Sequence, residues 1–462
     1  MSQLQQVLDH IDGDVDNAMQ RLFELLRMQS ISTDPQYAPH CVEAADWLVK
    51  DLSTIGFDAK RHDTPGHPMV VAKLMGDKDA PHFLFYGHYD VQPVDPLELW
   101  DAPPFEPQLQ ETPVGKVIRA RGAADDKGQL MTFVEACRAW KKVSGGLPAN
   151  ITVFFEGEEE SGSPSLIPFM ENNIDLLKAD LAMVCDTGMW NENTPAISTM
   201  LRGMVGEQLT ITGPSLDLHS GMYGGPAMNP IRVLTRILAG LHDDTGRITL
   251  KGFYDGVTEP PDEVKRQWQA LNHDESDFLG SVGLSTPAGE QGYSVLEQIW
   301  SRPTCDVNGI WGGYTGEGFK TVLPSKASAK VSFRLVGDQN PEKIQAAFHQ
   351  YVREQLPPDC SVEFKSKDAA GATVMPVDAP AFSRAHQALS DEWENDAVYA
   401  GCGGSIPVVG HIKHILDMDS LLVGFGQDDD AIHSPNEKYN VSSFQKGTRS
   451  WARILDSLAK AS

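Results

Sequence analysis

His88 and Asp90 stand two residues apart in Leu84-Phe85-Tyr86-Gly87-His88-Tyr89-Asp90, at the end of an apolar run that predicts a buried strand. The same residue types return at Asp125-Asp126-Lys127-Gly128, Glu158-Glu159-Glu160-Ser161-Gly162, Cys185-Asp186 and His433-Ser434-Pro435-Asn436-Glu437. Each of the first four pieces sits at or just past the carboxyl end of an apolar run, the edge of an open α/β sheet where ligands bind. Imidazole nitrogen and carboxylate oxygen are the ligands of a zinc site that keeps one coordination position open for hydrolysis. Two such ions about 3.5–4 Å apart need a carboxylate shared between them. Asp125, after Arg121-Gly122-Ala123-Ala124, can be that bridge. Asp90 shares a face of the pleat with His88 and can hold the imidazole in one tautomer. Glu159 and Glu160 are adjacent, so one can bind metal while the other takes a proton from the attacking water. Taken singly, these pieces read as turns, helix caps or solvated charge runs. Their recurrence at successive strand ends is what points to a site.

The elements that must position them follow from periodicity. Helical stripes run from 14 to 55, and strand-like runs cover 69–74, 82–86, 151–155 and 180–185, with a helix expected over 128–143. Strands alternating with helices predict a parallel-rich mixed sheet between helix layers, an α/β fold. After Leu201 the texture changes. Residues 206–212 and 329–336 alternate polar and apolar, and helical patterns cover 230–241 and 341–356, which predicts an α+β insert. A polar, proline-containing stretch from Ser366 to Pro380 reads as the return linker. Helix-like 381–393 and 442–458 and strand-like 421–425 resume the first texture. The expected domains are therefore a discontinuous metal-binding catalytic domain, 1–201 and 373–462, carrying an inserted α+β lid and dimerisation domain at 202–372. Gly312-Gly313-Tyr314-Thr315-Gly316-Glu317-Gly318 lacks the ending of a phosphate loop and reads as a turn.

Composition narrows the function. The 462 residues suggest two domains, and 41% apolar residues suffice to build their cores. A net charge of −26 argues against nucleic acid or an anionic membrane surface as partner. No run approaches the roughly 20 apolar residues of a membrane span. The first six residues lack the pattern of a secretory leader. The six cysteines show no paired spacing, so buried reduced thiols and a cytoplasmic location are expected.

At the residues quoted above the chain resembles, throughout its length, the co-catalytic zinc metallopeptidases that include carnosinase-type dipeptidases, aminoacylases and glutamate carboxypeptidases. The matching text is Gly87-His88-Tyr89-Asp90-Val91-Gln92-Pro93, Arg121-Gly122-Ala123-Ala124-Asp125-Asp126-Lys127-Gly128 and Phe155-Glu156-Gly157-Glu158-Glu159-Glu160-Ser161-Gly162-Ser163. The resemblance implies one zinc held by His88 and Asp186 and a second held by Glu160 and His433, with Asp125 bridging. It implies Glu159 as general base, Asp90 as orienter of His88, and a cis peptide after Asp125. The dipeptidase branch is the nearest. Leu216-Asp217-Leu218-His219-Ser220-Gly221 matches the segment whose histidine reaches a neighbouring subunit's site and stabilises the oxyanion. Arg334 matches the arginine that binds the substrate's carboxylate, and Gly404-Ser405-Ile406-Pro407 matches the substrate loop. The chain departs from the branch just before that loop. Where relatives commonly read Arg-Glu-Gly-Gly-Ser-Ile-Pro, it reads Gly401-Cys402-Gly403-Gly404-Ser405-Ile406-Pro407, so a carboxylate-clamping guanidinium is absent. Room left at Gly401 is expected to admit bulkier C-terminal residues.

The expectation is a cytoplasmic, homodimeric hydrolase of dipeptides or similar small peptides with two divalent ions. Zinc is expected, with manganese or cobalt as alternatives. An N-acyl amino acid amidohydrolase or a carboxypeptidase of the same mechanism is the alternative function.

Overall fold

The computed structural model describes residues 2–113, 115–271, 273–367 and 369–460. They form two compact units: 1–199, 375–400 and 411–462 make the first, and 200–374 with 401–410 the second.

The first unit is built on a mixed sheet. Its strands lie in the order Asp58–His62, Met69–Leu74, Asn150–Glu156, His82–His88, Leu181–Val184, Ser420–Val423 and Ala196–Leu201. The middle four are mutually parallel, and the flanking pairs are antiparallel. Asn150–Glu156 is buried at every position, as a strand covered on both faces must be. Phe85 projects to one face, where its ring stacks on Phe133 at 3.8 Å and meets Trp451 edge-on at 5.6 Å. Those two partners come from the helices Lys127–Ser144 and Val441–Ala459, so this aromatic cluster joins sheet and helix layer. Tyr86, the next residue, faces the other way and packs on Phe154 at 5.8 Å. The helix 127–144 ends where Gly145 takes φ 75°, a left-handed cap.

Asp125 departs from the sequence expectation in its setting. The strand before it, Gly115–Arg119, belongs to a separate three-stranded sheet with Gln108–Thr112 and Lys438–Asn440, not to the central sheet. The other site-bearing ends, those of 82–88, 150–156 and 181–184, do lie side by side in the central sheet.

The second unit has an antiparallel sheet in the order Thr304–Gly312, Lys326–Leu335, Gly203–Thr212 and Ser361–Ser366. Burial alternates along Gly203–Thr212 because only one face is covered. That face packs Val205, Leu209, Val331 and Phe333 against Val233, Ile237 and Phe348 of the helices Pro230–Ala239 and Pro341–Glu354. Three short helices, Asp262–Ala270, Glu275–Gly280 and Val295–Trp300, lie in a stretch to which sequence reading assigned no elements. The glycine-rich stretch after Gly312 is irregular chain, as a turn reading requires. No helix among the described residues is long and apolar enough to cross a membrane. No disulfide joins any of the cysteines among the described residues, and Cys360 and Cys402 are half-exposed where burial was expected.

Candidate metal centre

His88 ends its strand almost fully buried. Its Nδ1 lies 3.1 Å from the Asp90 carbonyl oxygen and 3.4 Å from the Asp90 carboxylate. That leaves Nε2 facing Asp125 Oδ1 at 3.1 Å. The other oxygen of Asp125 is 2.9 Å from His433 Nε2, which is in turn 3.3 Å from Glu160 Oε2. Asp186 completes the cluster. The potential ligand atoms of His88, Asp125 and Asp186 lie within 4.8 Å of one another, and so do those of Asp125, Glu160 and His433. Two triads thus share one carboxylate. His433 enters on a loop with φ 61°, and its side chain is about half exposed while His88 is sealed in.

Main-chain amides fix these loops. The Asp90 carboxylate accepts from Glu159 N at 3.2 Å and Glu160 N at 3.0 Å, so it ties the two-glutamate turn to the histidine strand. Asp126 accepts from His88 N at 3.1 Å. This needs Gly87, where a Cβ would stand 2.9 Å from Asp126 Oδ2 and 3.0 Å from Leu130 Cβ. The peptide between Asp125 and Asp126 is cis. The sequence assigned no role to Glu437 or to Arg121, and the structure gives both a structural one. Glu437 accepts from Gly122 N and Ala124 N at 2.9 Å, from Asp125 N at 3.1 Å, and from Arg121 Nη1 at 2.8 Å. It therefore holds the loop that presents Asp125. Glu158 likewise turns inward, to His67 N at 2.7 Å and Ser165 N at 2.8 Å. Cys185 is buried against Gln129 O and stays out of the cluster. Gln92 donates to Glu160 Oε2 at 2.6 Å, a contact no spacing rule announces.

The electrostatics fit a cation site. Burial, followed by the neighbouring carboxylates Asp125, Glu159 and Glu160, pushes Asp186 well above the usual carboxylate range despite His88. Burial also lifts Glu159 to about 7, with His88 opposing and Asp90, Glu160 and Asp125 assisting. Asp125 is driven the other way: burial would raise it, but hydrogen bonds from His433 and His88 hold it far below. Crowded carboxylates with two imidazoles, converging as two triads, match the donor set that divalent ions take.

The remaining expected site residues lie in the second unit. His219 is exposed, pairs with Val322 in a two-residue strand, and accepts from Gly221 N on Nδ1 at 3.0 Å. Arg334 donates to Ser405 Oγ at 3.0 Å, and Gly404 O accepts from Arg202 N at 3.0 Å. The expected room at Gly401 is not there. A Cβ at that position would lie 2.4 Å from Trp300 Cγ, so the indole already fills the space.

Comparison with known proteins agrees with this geometry. Residues 84–457 match the profile of peptidase family M20/M25/M40. The chain is 29% identical to the Cys-Gly metallodipeptidase of Candida albicans over 476 residues, covering 99% of this chain and 98% of that protein. The crystal structure of human carnosine dipeptidase 1 superposes with a TM-score of 0.83 at 25% identity, covering 100% of this chain and 99% of that one. An M20-family metallo-carboxypeptidase from Sulfolobus solfataricus gives the same TM-score at 27% identity, covering 96% of this chain and 99% of that one. The chain belongs to peptidase family M20/M25/M40, on its dipeptidase branch, and is a metallopeptidase.

Proposed function

We propose that the protein hydrolyses the amide bond of dipeptides or similar small peptides at a centre of two divalent ions. The observation that carries this reading is the pair of ligand triads sharing Asp125, with Glu159 held beside them by the Asp90 carboxylate. His88, Asp125 and Asp186 would hold one ion, and Asp125, Glu160 and His433 the other. Bound there, the ions would polarise the scissile carbonyl and acidify the attacking water. Glu159 takes the proton from that water on a carboxylate oxygen and returns it to the departing amine nitrogen. His219 from a second copy of the chain donates to the developing oxyanion. Arg334, Ser405 and Gly404 receive the substrate's carboxylate. The second unit is the inserted lid and dimerisation domain of a homodimer. In support, it leaves Leu216, Met222, Trp311 and Phe319 exposed, and Thr304–Gly312 is an edge strand. The unpaired spacing of the cysteines in the sequence supports a cytoplasmic setting.

The names of similar proteins support dipeptides as substrates, and the carboxypeptidase structure keeps the cleavage of C-terminal residues as a second reading. The deciding experiment strips the metal, reloads zinc, manganese or cobalt separately, and assays dipeptides, longer peptides and N-acyl amino acids. Dipeptides should be the best class. A fully active sample with one ion per chain would end the two-ion reading, and faster cleavage of N-acyl amino acids would move the enzyme to the amidohydrolases.

A further inference from the structure

Two arginines of the second unit converge, and neither makes a contact ion pair with a carboxylate among the described residues; the nearest opposing charge acting on Arg202 is Asp306. Arg334 lies on the open face of the sheet, in register with Met204, and Arg202 immediately precedes that neighbouring strand. Both reach the loop Gly403-Gly404-Ser405. Arg334 Nη1 donates to Ser405 Oγ at 3.0 Å, and the same hydroxyl donates to the Arg202 carbonyl. Arg202 Nε donates to Gly403 O at 2.8 Å, while its Nη1 is buried with no hydrogen-bond partner. The side-chain hydrogen bonds of the two guanidiniums thus go to a carbonyl and a hydroxyl. Burial and the like charge of Arg334 lower Arg202 to about 10, and Asp306 offsets this only in part. An unpaired buried N–H beside a second cation is unfavourable unless an anion joins them.

We propose that Arg202, Arg334 and the Ser405 hydroxyl form a two-arginine carboxylate site, with Arg202 as the specificity-determining residue that supplies the guanidinium missing at Gly401. The identification of the carboxylate as the substrate's C-terminus rests on the function proposed above. The exchange has a structural reason. Trp300 excludes any side chain at 401, so a second guanidinium must arrive from elsewhere. Arg202 does so, with its Nη2 only 3.4 Å from where a Cβ on Gly403 would be. Guanidinium forks suit carboxylates because their N–H pairs match the two oxygens.

The test uses the metal-loaded full chain and a dipeptide analogue whose peptide bond is replaced by a non-cleavable aminomethylene, as acid and as C-terminal amide. Calorimetric titration should show the parent binding the acid about tenfold or more tighter than the amide. Arg202→Met should bring that ratio towards one by weakening the acid alone, and Arg202→Lys should retain part of the preference. If Arg202 merely braces Gly403, acid and amide will weaken together, which would overturn the proposal; so would an unchanged ratio in a variant with the parent's thermal melt. Should Arg202→Met melt early, Arg202→Lys decides by the same ratio. An Arg202-dependent preference in a protein that cleaves no dipeptide would sink the proposed function and leave this inference standing. Dipeptide turnover with an acid-to-amide ratio of kcat/KM unaffected by either Arg202 variant would do the reverse.

Discussion

In the first unit the Asp90, Asp126 and Glu437 carboxylates together accept six main-chain N–H groups around the ligand cluster, all from deep burial. In the second unit His219 is exposed and held by one contact from Gly221 N, and Arg334 is held by a single hydroxyl. The contrast follows from what each group must do. Carboxylates packed as closely as Asp125, Asp186 and Glu160 repel one another, so their geometry has to be imposed by neutral main-chain donors before any cation arrives. On the proposed function, His219 and Arg334 would receive the substrate and must be free to exchange one partner for another, which fits their looser hold. Pre-organisation would then mark the chemistry, and spare hydrogen-bonding capacity the recognition.

That contrast predicts a graded series of losses. Glu159→Gln should keep the fold and both metals yet lower kcat by about 10²–10⁴-fold, because an amide cannot take the water's proton. Metal content measured beside turnover checks it, and a variant within a few-fold of the parent would remove Glu159 from the role of base. Loss of His219 should cost about 10²–10³-fold in kcat if it stabilises the oxyanion from a second copy. Mixing inactive Glu159→Gln and His219→Ala chains should then return a fraction of activity; verified heterodimers that stay inactive would place the histidine's work within its own chain. Next comes Glu437→Gln, which turns an amide donor towards main-chain N–H groups and Arg121. Chelator competition should show metal affinity about 10–100-fold weaker, with the intrinsic activity of the loaded enzyme little changed. Undiminished affinity would mean that the Asp125 loop holds its own shape.

The first unit was the more legible of the two in sequence, for the same reason. Buried strands are continuous apolar runs, and a ligand at a strand's end is announced by the run before it, as with His88 after Phe83-Leu84-Phe85-Tyr86. The ligand types could be read; the pairing of Glu160 with His433 came from family resemblance, since their separation in sequence carries no spacing signal. Glu437 was quoted with the His433 segment but given no role, because a carboxylate that binds metal and one that binds amides look alike in one dimension. Only the three N–H groups aimed at it tell them apart. In the second unit the alternation of 206–212 and 329–336 was visible, but the helices 262–270, 275–280 and 295–300 are too short to stand out by periodicity, and the last starts at a local Ser294–Glu297 capping box. Arg202 was invisible for a different reason. Nothing in Leu201-Arg202-Gly203 says that its side chain meets Gly403, two hundred positions away.

The smallest expected effect concerns Gly401, where sequence reasoning expected space and the structure has an indole. Trp300 closes the helix Val295–Trp300, is 7% exposed, and meets Trp268 edge-on at 5.2 Å. A methyl group at 401 would lie 2.4 Å from its Cγ, closer than non-bonded carbons approach, so the loop or the ring must move. Gly401→Ala should therefore destabilise the protein by about 1–3 kcal/mol, the usual cost of overpacking. Metal content should be unchanged, because no ligand belongs to the second unit. Trp300→Leu alone will also be destabilising through lost packing, so the informative quantity is the coupling between the two substitutions. Denaturant unfolding of the parent, both single variants and the double variant should show that alanine at 401 costs much less once the indole is gone. If it costs the same in both backgrounds, Trp300 is not what excludes a side chain there. The absence of an arginine at 401 would then be a substitution the packing tolerates, with no structural demand behind it, and Arg202 would be an addition to the carboxylate site instead of a replacement.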